Sequence, residues 1–257
     1  MTQPYRIRCA EIWGGIQNLD TDICTSSITA SVFSQAYDGS AGGDIYYFSV
    51  CGYDLLTRIA IADLRGHGSQ AATLSRWIYD GLQERIENLE GGALLASVNR
   101  AASEKGFQAM TTAALMSFYL GDSHFYYSYA GHPPILRNRA GEAGWMPLEI
   151  PQNAPLANLP LGAFPGATFD QVRLPMEAGD RFLIYTDGVI EQPGADGEVF
   201  GSSRLQEVLR SCGRSDPSAI KQRLVEELRV FAGDQPMDDD VTFLVLEVHA
   251  APKNAVV

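Results

Sequence analysis

The segment that decides the fold reads GGDIYYFSVC at residues 42–51 and RIAIADLRGHG at residues 58–68. Both runs are rich in β-branched or aromatic residues in partial alternation, and a short turn containing glycine and aspartate separates them. This pattern predicts an antiparallel hairpin. The start of one strand then lies beside the end of the next, so that Asp44 and Asp63 become neighbours.

Two carboxylates at one end of a sheet repel each other unless a cation lies between them, and a hard divalent ion is the simplest such cation. Each aspartate alone is more often a turn residue than a ligand. The pair gains weight because two later sites also lie at strand ends. Asp187 follows the predicted strand 181–186, and Asp238–Asp240 precede the predicted strand 241–248. These acidic sites together predict a metal centre.

The ligand types indicate which metal and which chemistry to expect. Carboxylates without a His-x-x-x-His or cysteine partner favour Mg²⁺ or Mn²⁺ over zinc. Two such ions held about 3.5–4 Å apart polarise a water molecule and direct it at a phosphorus atom. The sequence shows no Gly-x-Ser-x-Gly elbow, no cysteine in a cation-rich setting and no phosphate-binding glycine loop. We therefore expect phosphate-ester hydrolysis without a protein nucleophile.

The composition is that of an ordinary globular protein. The chain has 257 residues, 46% hydrophobic and 19% charged, and shows no linker, so we predict one domain over residues 1–248 and a frayed tail over 249–257. A formal charge of −12 without a clustered Lys/Arg face argues against a nucleic-acid partner. No signal peptide begins at Met1, and no apolar run approaches the roughly 18 residues of a membrane span. The four cysteines lack Cys-x-x-Cys spacing and lie in apolar or mixed sequence contexts, and we expect buried free thiols in a reducing cytoplasm.

The remaining elements follow from the hydrophobic period and from turn signals. Apolar residues recur every three or four positions from Ala71 to Ile86, which predicts a helix over about residues 69–88, and a second helix is predicted over about 92–105. The two helices form a hairpin that begins where the metal-binding loop ends. Further strands are predicted at 5–13, 26–36, 110–120, 124–130 and 168–174, and further helices at 202–211 and 217–232. Residues 13–15 and 20–22 are predicted to be loop, and 141–167 to be irregular.

Six short motifs occur in an order that resembles a known family. They are GD at residues 43–44, DLRGHG at 63–68, YAGHPP at 129–134, LG at 161–162, YTDGV at 185–189 and DDVT at 239–242. The series resembles the metal-dependent Ser/Thr protein phosphatases of the protein phosphatase 2C (PPM) superfamily, in particular the SpoIIE-like bacterial branch. The resemblance implies an α+β fold: a four-layer α/β/β/α sandwich in which helices flank a central antiparallel β-sandwich.

The resemblance also implies a set of metal ligands, namely Asp44, Asp63, Leu64, Asp187, Asp239 and Asp240. Asp44 resembles the carboxylate that bridges two metal ions. Asp63 and the backbone carbonyl of the residue after it resemble ligands of one ion, and Asp187 and Asp239 resemble ligands of the other. The last residue of the set is an alternative to Asp239, because three aspartates run together. Two Mn²⁺ or Mg²⁺ ions are therefore the expected cofactors.

The catalytic residues implied by the resemblance are Asp44, Asp63 and His67. His67 resembles the histidine that protonates the leaving serine or threonine oxygen. His132, in the GHPP motif, is expected to cap or pack its loop. The arginine that holds the phosphate in eukaryotic relatives has no evident counterpart here, although Arg65 lies in the metal-binding loop.

The leading functional hypothesis is a Mg²⁺- or Mn²⁺-dependent phosphatase of phosphoserine or phosphothreonine in bacterial regulatory signalling, with an anti-sigma-factor antagonist as one candidate substrate. One alternative is a pseudo-phosphatase that binds a partner without turnover. Another is a hydrolase of a small phosphate ester, since the same metal-activated water attacks either substrate. Because the helical hairpin starts at the metal-binding loop, we also predict that a regulatory protein docks on residues 69–105.

Overall fold

The computed structural model describes residues 3–37, 41–66, 68–84, 90–195, 197–235 and 237–249. Three predictions from the sequence fall on other residues. The predicted catalytic histidine, His67, the last part of the first predicted helix (85–88) and the tail from residue 250 all lie outside the described residues. His249, at the start of the predicted tail, is hydrogen-bonded to Thr29 through its side chain.

Within these ranges the chain forms thirteen strands and five α-helices. The strands are β1 (Tyr5–Arg6), β2 (Ile12–Gln17), β3 (Leu19–Cys24), β4 (Ile28–Gln35), β5 (Ala41–Cys51), β6 (Leu56–Leu64), β7 (Thr111–Tyr119), β8 (His124–Ala130), β9 (Leu136–Asn138), β10 (Met146–Pro147), β11 (Val172–Pro175), β12 (Arg181–Tyr185) and β13 (Val241–Val248). The helices are α1 (Gly68–Glu84), α2 (Gly91–Lys105), α3 (Gly188–Glu191), α4 (Gly201–Ser211) and α5 (Pro217–Ala232), and a short 3₁₀ turn covers Phe107–Ala109.

The strands form two sheets that pack face to face. One has the order β1-β3-β4-β13-β12-β9-β10 and the other the order β11-β8-β7-β6-β5-β2. Neighbouring strands are antiparallel except for β1 and β3. Apolar side chains from both sheets fill the space between them, including Phe48, Phe125, Phe182 and Leu244. Helices α1 and α2 cover the six-stranded sheet, and α4 and α5 cover the seven-stranded sheet. The predicted four-layer α+β sandwich is confirmed.

The predicted central hairpin is also confirmed. Strands β5 and β6 pair antiparallel, and Asp44 lies directly opposite Asp63 in the register. Alternate residues of β6 face opposite sides of the sheet: Ile59 and Ile61 lie in the core between the sheets, whereas Ala60 faces α1 and α2. The alternation that identified the strand therefore also fixes which face each side chain occupies.

Two segments that the sequence predicts as loop are strands. Residues 13–15 belong to β2, which pairs with β5, and residues 20–22 belong to β3, which pairs with β4. The glycines of β2 allow a close approach of backbone rather than a turn, because a Cβ on Gly14 would lie 2.3 Å from the carbonyl oxygen of Tyr46. In β3, Asp20 and Asp22 both pair with the buried Lys221 of α5. Local sequence cannot reveal these tertiary partners.

The helix boundaries agree closely with the sequence pattern. Helix α5 begins at Pro217 as predicted, and the Asp216 side chain caps it by accepting the N–H of Ala219 at 2.8 Å. The strand predicted at 168–174 begins only at Val172. The four cysteines are free thiols as predicted, but the prediction that they are buried is wrong, because Cys9 is exposed and the other three are half-buried. None of the helices in the described ranges is long and apolar enough to cross a membrane.

Candidate active site

The hairpin places two aspartates at one end of the sandwich. Asp44 is buried, and the Thr186 hydroxyl, at the end of β12, donates to its Oδ2 at 2.9 Å. The Thr186 oxygen in turn accepts the backbone N–H of Thr242 at 3.0 Å. The other carboxylate oxygen of Asp44, Oδ1, is buried without a hydrogen-bond partner among the described residues. One face of this carboxylate is therefore held by the protein, and the other is available to a ligand.

The seven-stranded sheet brings further carboxylates to the same place. Asp187 follows β12, and Asp239 and Asp240 precede β13. Burial, followed by the negative charges of Asp187, Asp239, Asp240 and Glu191, raises the pKa of Asp63 to about 8. Strands of both sheets thus end at one acidic cluster. Glu191 was not among the predicted site residues, although it lies one helical turn after Asp187 in α3.

The pKa of Asp44 is raised as well. Burial and then the charge of Asp63 raise its pKa well above the ordinary value, against the opposing effect of the Thr242 and Thr186 hydroxyl groups. Both pKa shifts combine burial, the larger cause, with repulsion between neighbouring carboxylates. A divalent ion between them would remove the repulsion and favour the ionised forms.

The two consecutive aspartates before β13 have different surroundings. The Asp240 carboxylate is buried and accepts the backbone N–H groups of Tyr37 at 2.7 Å, of Gly43, and of Asp44 at 3.4 Å. It ties β13 to the start of β5. Asp239 is half-buried, and its Oδ1 accepts the backbone N–H of Asp240 at 2.8 Å. Its surroundings suit a ligand better than those of Asp240, whose oxygens are engaged by backbone.

The backbone carbonyl of Leu64 faces the same end of β5. A Cβ on Gly43 would lie 2.8 Å from the Leu64 oxygen and 3.4 Å from Oδ2 of Asp240. A Cβ on Gly188 would likewise lie 2.0 Å from the backbone oxygen of Asp240. Gly43 therefore allows the start of β5 to approach Asp240 of the other sheet, and Gly188 allows the chain after β12 to approach the backbone before β13 in its own sheet. Each of the two glycines follows or precedes a predicted ligand.

His132 lies beside the cluster but has a structural environment. It is buried, and its Nδ1 lies 2.8 Å from the hydroxyl of Thr112, which is opposite Asp63 in the β6–β7 register. Burial lowers the pKa of His132 to about 3, so that the ring is neutral. A neutral, enclosed imidazole agrees with the predicted packing role. Arg65, the arginine of the metal-binding loop, is exposed, and its guanidinium carbon lies 4.5 Å from the centre of the Phe107 ring.

The residues present fit a divalent metal. Among the described residues no three His, Cys, Asp or Glu side chains surround a single point. The fit rests instead on the unpartnered buried oxygen of Asp44 and on the donor set, which consists of carboxylates and a backbone carbonyl. Hard oxygen donors of this kind suit Mg²⁺ and Mn²⁺.

Comparison with known proteins gives consistent matches. The family model for stage II sporulation protein E (SpoIIE) matches residues 54–249. The phosphoserine phosphatase RsbP of Bacillus subtilis is 23% identical over 197 residues, which are 74% of this chain and 45% of RsbP. The chain thus spans less than half the length of that relative.

Two solved structures share the fold. One contains the PP2C phosphatase domain and a fragment of the regulatory domain of the cell fate determinant SpoIIE from Bacillus subtilis. It is 21% identical and superposes with a TM-score of 0.73, covering 88% of this chain and 63% of the other. The other is the catalytic domain of the serine/threonine protein phosphatase PstP in complex with two manganese ions. It is 16% identical, with a TM-score of 0.56, and covers 87% of this chain and 99% of PstP.

Proposed function

Because the chain belongs to the SpoIIE family, we propose that it is a Mg²⁺- or Mn²⁺-dependent phosphatase that hydrolyses phosphoserine or phosphothreonine in a bacterial regulatory protein. The observation that carries this proposal is the acidic cluster at one end of the sandwich, with an unpartnered buried oxygen on Asp44. The family, the PP2C fold and the relative that is a phosphoserine phosphatase support the same reaction class.

In this proposal Asp44, Asp63 and the Leu64 carbonyl would hold one divalent cation. Asp44, Asp187 and Asp239 would hold a second, and the manganese-bound PstP structure supports a divalent metal of this type. When bound, the cations would supply a polarised water molecule and neutralise charge on the phosphate.

The chain's own residues then position the site. Thr186 fixes one oxygen of Asp44, and Asp240 fixes the start of β5 through backbone N–H groups. His67, which lies outside the described residues, is proposed to donate a proton to the leaving serine or threonine oxygen. An alkoxide is a poor leaving group, so this proton should be needed for natural substrates.

The experiment is a phosphate-release assay on the purified chain with a phosphoserine peptide, a phosphothreonine peptide and p-nitrophenyl phosphate. Each substrate is tested with EDTA, with Mg²⁺ and with Mn²⁺. The proposal expects phosphopeptide hydrolysis only with added metal. Hydrolysis of the small ester alone would favour a small-ester hydrolase, and metal binding without any turnover would favour a pseudo-phosphatase. An anti-sigma-factor antagonist phosphoprotein is the first protein substrate to test.

We also propose that a regulatory protein controls this site by docking on α1 and α2. The buried Ser75 hydroxyl of α1 donates to the Gly43 carbonyl at 2.7 Å, which joins the helix directly to the residue before Asp44. A shift of α1 would therefore move Asp44, and a displacement of about 1 Å can cost roughly a hundredfold in rate.

The exposed face of α1 offers the test. Arg76 and Asp80 pair with each other at 3.1 Å, and both side chains are largely exposed. Such a pair contributes little to stability, so alanine at either position, or at exposed Glu84, should leave the melting temperature unchanged. Under the docking proposal some of these variants alter the Mn²⁺ concentration for half-maximal activity or lose partner activation. Unchanged behaviour in all of them would contradict docking on this face.

A further inference from the structure

A groove on the outer face of the seven-stranded sheet lies next to the acidic cluster. It consists of a cavity of about 230 Å³ beside the last turns of α5 and an adjoining depression of about 340 Å³. The two share Phe33, Gln35 and Arg229, so they form one continuous groove. The cavity lining combines apolar side chains such as Val225 and Val241 with polar ones such as Gln192.

The strand register places this groove at the metal end of the sheet. Val241 follows Asp240 directly and pairs with Gln35, and Leu19 pairs with Ser34 one strand further on. The groove therefore crosses the ends of β13, β4 and β3. With neighbouring strands about 4.8 Å apart, it extends roughly 10 Å away from the cluster. An extended peptide covers that distance in about three residues.

Arg229 gives the groove a positive charge. Its side chain is exposed and lines both parts of the groove. Within the described ranges its guanidinium group has no hydrogen bond or ion pair. The nearby carboxylate of Asp20, which also lines the groove, already pairs with Lys221 at 2.7 Å. In a chain of formal charge −12, a guanidinium without an acidic partner beside an acidic cluster is a candidate for recognising an external carboxylate.

From this geometry we infer that the groove binds the segment of the phosphoprotein substrate that flanks the phosphorylated residue, with an acidic side chain on Arg229 and an apolar side chain in the cavity. This inference rests on the proposed function, since it assumes that the phosphorylated residue lies at the acidic cluster. The cavity is smaller than the roughly 300–1,000 Å³ of small-molecule sites and accommodates side chains instead. The recognised residues would lie about three to five positions from the phosphoserine.

The test uses a peptide that binds without being hydrolysed. The probe is a fluorescein-labelled peptide with serine at the target position and with leucine and glutamate three to five residues away on both sides. Its binding to the full chain with Mn²⁺ is followed by fluorescence anisotropy. Arg229→Glu should weaken binding at least tenfold, and a peptide with lysine in place of glutamate should bind this variant better than it binds the wild type. The matched control is Arg210→Glu, an exposed arginine of α4 outside the groove.

The kinetic form of the test uses the phosphorylated peptide. Arg229→Glu should raise KM without lowering kcat, and should leave hydrolysis of p-nitrophenyl phosphate unchanged. Equal effects of the Arg229 and Arg210 substitutions, or no effect of either on peptide binding, would overturn the inference. The inference would also be overturned if Arg229→Glu changed the oligomeric state of the chain in a sedimentation experiment, because the groove would then be assigned to contact with a second copy of the chain. If the chain hydrolyses no substrate, the proposed function fails, but the anisotropy experiment still shows whether the groove binds the peptide through Arg229.

Discussion

Replacing Asp63 by asparagine should make the metal-free protein more stable. Asp63 lies directly opposite Asp44 at the end of the β5–β6 hairpin. Residues in this position have Cβ atoms about 5 Å apart, and two unit charges at that distance cost about 3 kcal/mol at an effective dielectric constant of about 20. A neutral asparagine removes this repulsion while keeping the shape of the side chain. A stabilisation of up to about 3 kcal/mol corresponds to roughly 6–12 °C in melting temperature for a protein of this size.

The gain in folding stability of Asp63→Asn over the wild type should depend on pH, and the direction of this dependence follows from the pKa of Asp63. Burial and the neighbouring acids raise this pKa to about 8 in the folded chain. Between about pH 4 and pH 8 the folded protein therefore retains a proton that the unfolded chain has released. Wild-type stability falls across this window as pH rises, by at most about 1.4 kcal/mol per pH unit, and the Asp63→Asn variant lacks this loss. Protonation of His132 affects both proteins alike and cancels in the difference.

The assay is urea unfolding with EDTA at pH 5, 6, 7 and 8 for the wild type, Asp63→Asn and the exposed control Asp80→Asn. The advantage of the Asp63 variant should grow towards pH 8, and the control should match the wild type. Mn²⁺ at about 1,000 times its dissociation constant should reverse the order, because at that concentration a ligand adds about 4.1 kcal/mol to the protein that binds it. A variant that is less stable than the wild type at pH 8 in EDTA, and that keeps the full Mn²⁺ response, would refute the reasoning.

Two further predictions concern the residues that support the reaction. His67→Ala should slow hydrolysis of an alkyl phosphate at least tenfold more than that of p-nitrophenyl phosphate, because nitrophenolate leaves without a proton; equal losses in the two steady-state assays would mean that His67 only supports the loop. Thr186→Val should lower the free energy of unfolding by about 2 kcal/mol, since it removes the donor to Asp44 and the acceptor of the Thr242 N–H. Thr186→Ser should restore most of that loss in the same denaturation experiment, and a valine variant as stable as the wild type would contradict the role.

The central hairpin could be predicted from sequence because all its signals are local. The alternation of β5 and β6 and the turn between them determine both the pairing and the juxtaposition of Asp44 with Asp63. The sequence also places Asp187 and Asp238–Asp240 at the ends of β12 and β13, and this shared placement predicted that they join the same acidic site. The hydrophobic period does not say which sheet these two strands join. The assignment of individual aspartates to individual metal ions came only from the resemblance to a known family.

The features that sequence reasoning missed depend on tertiary contacts. Glycine at position 14 is typical of a turn in sequence. Only the close approach of the Tyr46 backbone explains why a strand needs glycine at this position. The sequence separates Asp239 from Asp240 only by position in the family motif, whereas their different surroundings depend on the backbone N–H groups that reach Asp240 from residues 37 and 43. The Ser75 bond to the start of β5 likewise joins segments that are far apart along the chain.

The most direct test of the two-metal centre is the stoichiometry of Mn²⁺ binding, measured by isothermal titration calorimetry on the wild type, Asp44→Asn and Asp187→Asn. The proposed bridging role of Asp44 predicts two ions per chain in the wild type, loss of both at comparable concentrations in Asp44→Asn, and loss of only one in Asp187→Asn. Wild-type stoichiometry and affinity in the Asp44 variant would contradict the account.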